Sequence, residues 1–402
     1  MRALRVGLFL GVRAVLRGNR GIAVLTTLMM LLIYVSLLFL PSLIQGAVNR
    51  VNDQLVNTLT SDVVITPSVQ GTTIQDVDAY LDQIRKTAGV EQATSVFRVG
   101  SQISYGSNSG SFTVLAIDPA SYARVFTTPS NLFAGRYLSQ EAPDQVFVGI
   151  GVAGAGQSQI RGYRSSLRSV QVGDQVSITL TNGRQYAFGV LGIFDNQFPL
   201  SDGNAFISMA QAQQLLPGIA GQATAVYVKT QSGAGVAQVV SRLSKLRTGM
   251  SFQTSADLGS VVQDQVATFT LISDILKAVS LLMAAVTIFM VTYVDLAGRR
   301  RQIGIQRAIG ITSTAVVISY LLKALAYAIA GVACGYAVFL YVVTPIVQRH
   351  PFQFPNGPVT LAATWGEMVR DLVILAAVSA AAALVPAIRS THLRLLDAIW
   401  AT

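Results

Sequence analysis

Four stretches of the chain are apolar on every side, and a long stretch between the first two is not. Residues 21–43 run without a single charge. At 1.5 Å per residue a helix of that length reaches roughly 34 Å, enough to cross a bilayer. Further spans are predicted over 266–294, 315–347 and 367–388, the third interrupted only by Lys323. A lysine inside a span is costly, but its stem can carry the ammonium to a nearby interface, so Lys323 is read as a membrane anchor.

Residues 44–265 follow a different pattern. Val48, Val51, Leu55, Val56 and Leu59 keep helical spacing, as if the first helix continued outward. Short alternating runs then predict strands over 62–67, 96–99, 102–105, 111–117, 145–149, 176–180, 185–190, 193–194 and 224–229. Helical spacing recurs over 73–88, 209–216 and 236–246. Polar turns separate these runs, with a hairpin signal at Asn182-Gly183. From Phe252 the chain is read as returning to the membrane. The predicted fold is a membrane protein of four transmembrane α-helices, with a large α+β extracytoplasmic domain inserted between the first and second.

Charge gives the orientation. The chain of 402 residues is 51% hydrophobic and 12% charged, with a net charge of +10 and mean hydropathy +0.52. Soluble domains carry about 25% charged residues. Residues 44–265 hold 14 basic and 14 acidic residues, whereas the rest holds 15 basic and 5 acidic. The excess lies in short flanks beside apolar runs, the positive-inside pattern rather than a nucleic-acid-binding face. Residues 1–20 carry five arginines and no acid, with Leu4, Leu8, Val12 and Val15 between them. They are read as an amphipathic cytoplasmic interface helix anchored by Arg13 and Arg17. The segments 295–314 and 389–402 are then cytoplasmic, and 348–366 is an outer loop. Trp365 and Trp400 suit the outer and inner headgroup layers.

Catalytic chemistry is sparse. Cys334 is the single cysteine and reads as a small buried residue. His350 and His392 fall on opposite sides of the predicted membrane. No GxSxG, HExxH, Walker A or paired metal motif occurs. Gly149-Ile-Gly151-Val-Ala-Gly154 imitates a dinucleotide loop, but it lacks the βαβ setting that would give it meaning. No catalytic, metal or cofactor site is expected in this chain.

The stretch Arg299-Arg-Arg301-Gln302-Ile303-Gly304-Ile305-Gln306-Arg307-Ala308-Ile309-Gly310 is basic, short and patterned as a helix. Ile305, Ala308, Ile309 and Thr312 share one face. So short a helix would not persist alone in water, so it needs a surface to press on. Gly304 is read as allowing close backbone approach by a partner.

This stretch resembles the coupling loop R-x-x-E-I-G-I-x-R-A-x-G of the FtsX/MacB family of ATP-binding-cassette permeases, the type VII or mechanotransmission transporters. Leu384-Val-Pro-Ala-Ile-Arg-Ser-Thr-His-Leu-Arg-Leu-Leu-Asp-Ala-Ile399 is similar to the family's tail, and the span order agrees. Gln302 stands where glutamate is usual, Lys323 near a common acid, and Leu395 where proline is usual. The resemblance implies a permease subunit, itself non-catalytic, in the bacterial cytoplasmic (inner) membrane with both termini cytoplasmic. It implies a separate cytoplasmic ABC ATPase that binds ATP and Mg, and docking through Arg301, Gln302, Ile303, Gly304, Ile305, Arg307, Ala308, Ile309 and Gly310. It further implies a second permease copy, as a homodimer or heterodimer, and contact with membrane lipids and a membrane-fusion protein. The expected activity is efflux or export of lipid, lipoprotein or peptide. The alternative is FtsX-like signalling that activates a cell-wall hydrolase without transport.

Overall fold

The computed structural model describes residues 2–16, 20–140, 144–154, 167–258, 260–354 and 357–391. The chain forms two compact units. One is helical and comprises Met1–Ala47, Gln265–Phe352 and Val359–Thr402; the other comprises Val48–Asp264 with Gln353–Pro358.

Helices α1 (Arg2–Leu16) and α2 (Arg20–Leu55) come first, and α2 closes in a π-helical turn, Val56–Thr60. The mixed unit then begins with β1 (Val63–Pro67), α3 (Val77–Arg85), β2 (Val90–Tyr105), β3 (Asn108–Ile117) and α4 (Pro119–Val125). It continues with β4 (Leu132–Gly135), β5 (Gln145–Gly149), α5 (Ile150–Ala153), β6 (Gln175–Thr179) and β7 (Gln185–Phe194). It closes with α6 (Pro199–Asp202), β8 (Asn204–Ser208), α7 (Met209–Leu215), β9 (Ala225–Thr230), α8 (Val236–Leu243), β10 (Met250–Thr254) and α9 (Ser255–Leu258).

These strands make one mixed sheet in the order β10-β1-β9-β2-β3-β8-β5-β7-β4, with β6 paired to β2 and β7. The two strands expected over 96–105 are one. Gly100 and Ser101 pair with Thr113 and Phe112, and the space beside Gly100 is open. The early part of β2 pairs with β9 and its late part with β6, so this strand joins the two ends of the sheet. Residues 250–254 do not return directly to the membrane. They pair antiparallel with β1, Val63 opposite Thr254, and satisfy its backbone groups. Helix α3 starts later than expected because Ile74 instead exchanges backbone hydrogen bonds with Ala223 (2.7 and 3.0 Å).

Helix α4 went unread in the sequence, though its start signal is present. Asp118 accepts from the Ala120 and Ser121 amides, and Pro119 occupies the first helical position. Burial pushes the Asp118 carboxyl up, but hydrogen bonds from Ser121 and Gln140 outweigh it and hold it below its ordinary value.

One core lies under α3 and α8, around Ile65, Ile84, Val228 and Leu243. A second is aromatic, with Tyr122, Phe206, Phe194 and Phe147 at centroid spacings of 5.2, 5.4 and 4.9 Å. A third surrounds Ile103, Val148, Ile178 and Phe188. The loop after β7 is held by the fully buried Asp202, which accepts from the amides of Asn196 and Phe198, both at 2.9 Å. Gln54, near the end of α2, donates to the Asn196 and Gln197 carbonyls (3.0 and 3.2 Å). Gly149 abuts this loop: a Cβ there would lie 2.1 Å from the Asp202 carbonyl oxygen. The glycine of the imitation dinucleotide loop thus serves backbone packing.

The helical unit is completed by α10 (Ser260–Gly298), α11 (Arg300–Ala308), α12 (Ser313–Val338), α13 (Thr344–Arg349) and α14 (Trp365–Thr391). A π-helical turn, Phe339–Val343, joins α12 to α13, and strands β11 (Phe352–Phe354) and β12 (Gly357–Val359) form a small hairpin. Among the described residues, four helical segments are long and apolar enough to cross a bilayer: Arg20–Thr60, Phe269–Gly298, Ser313–Arg349 and Trp365–Arg389. Met30, Tyr34, Ala284, Ile288, Val332 and Leu375 give α2, α10, α12 and α14 a common core.

Glycines set the closest approaches. Gly331 and Gly335 of α12 lie against Met30, Leu31 and Tyr34 of α2. Gly7 and Gly11 of α1 lie against Ile318 and Leu322 of α12. The glycine-bearing face of α1 therefore packs on protein, leaving Leu8, Phe9 and Val12 exposed. The arginine spacing that suggested a helix lying on the membrane surface did not reveal this seat. Cys334 is exposed, contrary to its expected burial, because Gly331 and Gly335 occupy the packed face of α12.

Candidate functional site

The basic stretch between the second and third apolar helices folds as α11, and its own sequence defines both ends. Helix α10 stops at Gly298, and Arg299 leaves helical geometry with φ −117° and ψ 14°. At the far end Gly310 adopts φ +98°. Its amide donates to the Arg307 carbonyl, and the Ile311 amide donates to the Gln306 carbonyl. This is the paired closure that glycine permits after a helix. Thr312, expected on the face of Ile305, instead caps α12 by accepting from the Ala315 amide.

Ile303 is the residue that holds so short a helix in place. It is 6% exposed and packs with Leu296 of α10 and Val316 of α12. Gly304 is buried beside it. The expectation that Gly304 opens the outer face to a partner is therefore corrected: it faces into the chain's own packing. Ile305 and Ile309 are exposed, at 47% and 77%, as are Ala308, Arg301, Gln302 and Gly310, and Arg307 is half-buried. The outer side of α11 thus presents an apolar ridge of Ile305, Ala308 and Ile309.

Below this helix lies an arrangement that the sequence reading missed. Lys323 of α12 is 6% exposed and its Nζ donates to Asp295 Oδ2 of α10 at 2.7 Å. Arg299 Nε donates to the other carboxylate oxygen at 3.1 Å. The Lys323 ammonium also lies 5.7 Å from the centre of the Tyr327 ring. The adjoining cavity, about 10 Å³, barely reaches the volume one water needs. Lys323 is therefore not a membrane anchor. A carboxylate within reach satisfies the ammonium better than extending the stem toward solvent. The available signal was that Asp295 and Lys323 are opposite charges at the same end of two consecutive apolar helices.

The remaining anchor positions are scattered. Arg13 is exposed on α1, and Trp365 is exposed at the start of α14 with its ring edge-on to Tyr336 at 5.9 Å. Arg17, Trp400 and the tail from His392 lie outside the described residues. Among the described residues no group of His, Cys, Asp and Glu could hold a metal ion.

The model of the MacB-like periplasmic core domain matches residues 23–246, more than half of the chain, and the FtsX-like permease C-terminal model matches 275–395. The chain belongs to the FtsX/MacB family of ABC permeases. It is therefore a transporter-type permease subunit with a MacB-like periplasmic core domain. No curated protein is significantly similar in sequence. Among solved structures, the periplasmic region of MacB from Actinobacillus actinomycetemcomitans is 11% identical, with 52% of this chain and 95% of that one covered and a TM-score of 0.38. The extracellular domain of the noncanonic ABC-type transporter YknZ from Gram-positive bacteria is 10% identical, with 48% and 98% covered and a TM-score of 0.34.

Proposed function

We propose that this permease couples ATP hydrolysis by a separate cytoplasmic ATPase, which binds ATP and Mg, to movement of its mixed unit outside the cytoplasm. The observation that carries the reading is α11. Its apolar ridge faces outward while Ile303 fixes its root to both flanking helices, which the ion pair between Asp295 and Lys323 joins to each other. A force applied to Ile305, Ala308 and Ile309 is delivered to α10 and α12 together. Arg301, Gln302, Arg307 and Gly310 frame that contact. Export of an amphiphile, lipid, lipoprotein or peptide suits a helical unit whose core is apolar. A cassette ATPase dimer offers two docking grooves, so a second permease copy is part of the proposal. Leu282, Met283, Val286 and Met290 give α10 an exposed apolar face for that copy or for lipid.

Replacing Ile305 by Asp tests the docking. A carboxylate pressed unpaired into an apolar groove costs several kcal/mol. The ATPase should fail to co-purify with the variant, while the variant accumulates and folds as the parent does. Unchanged co-purification and unchanged ATP-coupled function at equal abundance would refute the coupling role.

The orientation has its own test. Ser107 is exposed at the tip of the turn between β2 and β3. In a Cys334→Ala background, Ser107→Cys should react with an impermeant thiol reagent on intact cells made permeable at any outer membrane. Reaction only after lysis would place the mixed unit, and with it both termini, on the wrong sides.

A further inference from the structure

A cavity of about 170 Å³ opens on the face of the sheet where the aromatic core reaches the surface. Its wall sets aromatic and aliphatic side chains beside the polar Thr113 and Asn204. Leu115, Tyr122 and Phe126 are each buried, and Phe126 meets the Tyr227 ring edge-on at 5.2 Å. Tyr122 stays neutral, since burial pushes its hydroxyl well above the ordinary range. An apolar cavity of about 150 Å³ holds one benzene, so this space accepts one ring or a short branched chain.

The mouth is cationic. Arg98 extends from the exposed face of β2, and its Nη2 donates to the Tyr227 hydroxyl. Among the described residues no carboxylate forms an ion pair with it. The guanidinium carries five donors, which leaves a fork free for a carboxylate or phosphate. Leu200, 56% exposed, stands at the rim. A cationic group at the mouth of a concave space with aromatic side chains in its wall is the arrangement of a ligand site for an anion with an apolar part.

The remaining wall is the π-helical turn that ends α2. Thr58 and Leu59 line the cavity, and Thr58 donates back to the Gln54 carbonyl at 2.7 Å. Turns of this kind recur at functional sites. An occupant would touch the last turn of the helix that begins as the first apolar span.

From this we infer that the mixed unit binds a small amphiphilic anion, a water-soluble carboxylate bearing one ring or a short branched chain, with the anion on Arg98 and the apolar part against Leu115, Tyr122 and Phe126. The inference goes beyond the coupling reading and does not rest on it, because the site lies within one unit and needs no ATPase.

The probe is 3-(4-fluorophenyl)propionate, followed by fluorine NMR line broadening on the full-length protein in nanodiscs. The amine analogue of the same probe controls for lipid partitioning and for apolar binding alone. The parent should broaden the carboxylate and leave the amine at the level of empty nanodiscs. Arg98→Ala should weaken binding about tenfold or more, the effect of losing a hydrogen bond to a charged group. Arg98→Lys should retain part of it, and Leu115→Trp, which fills the cavity, should abolish it. Arg136→Ala, a change of an exposed arginine elsewhere in the unit, should leave binding intact. Equal binding by the parent and Arg98→Ala, or equal broadening of the amine, would overturn the assignment. Failure of Ile305→Asp to block ATPase docking would leave this result standing.

Discussion

Asp295→Leu should destabilise the helical unit by about 3–5 kcal/mol, the cost of leaving a buried charge without its partner. The orphan would be Lys323, whose ammonium would keep only the face of the Tyr327 ring. Lys323→Met should cost less. Asp295 would still accept from Arg299, although Arg299 is a third exposed and screened accordingly. The double variant should recover most of the loss, since an apolar pair of similar size often matches a buried ion pair. Thermal unfolding of the four proteins in nanodiscs gives the cycle. Additive losses would mean that the two residues do not stabilise one another. A negligible loss for Asp295→Leu alone would mean that Lys323 reaches water after all. If the pair also carries force between α10 and α12, the double variant should be stable yet poorly coupled.

The second large effect concerns the contact of α12 with α2. A Cβ at Gly331 would lie 2.3 Å from Met30 Cβ, and real atoms do not approach so closely. Gly331→Leu must force the helices apart and should cost about 3 kcal/mol or more, at or beyond the upper end of ordinary overpacking. At Gly335 the nearest atoms are 3.1 Å away, so Gly335→Ala should be milder. Gly366, with open space around it, should accept alanine with little change. Proteolytic resistance in nanodiscs ranks the three. Equal resistance of Gly331→Leu and the parent would show that the two helices are not in close contact.

Much of the architecture was legible because hydropathy is a local signal. The four apolar helices, most strands and the short helix after Arg299 each announce themselves within a dozen residues. What escaped depends on distant partners. Strand β10 has weak alternation of its own and exists because β1, nearly 190 residues earlier, needs a neighbour. Gly100 looks like a break until Thr113 is opposite it. The inward turn of Lys323 and the burial of Gly304 both follow from α10, α11 and α12 folding onto one another, which no window on one helix contains. The missed α4 was a different kind of miss, since Asp118-Pro119 is a start signal in plain view.

The pairing of β1 with β10 also brings two distant stretches of the chain side by side. In chain order the large sheet of the mixed unit begins with β1 and ends with β10, and Val63 lies opposite Thr254. A module whose two ends are neighbours can be exchanged for another with the same spacing without rethreading the polypeptide around it. Residues 63–254 therefore form a block that could be joined to a host protein at two adjacent points.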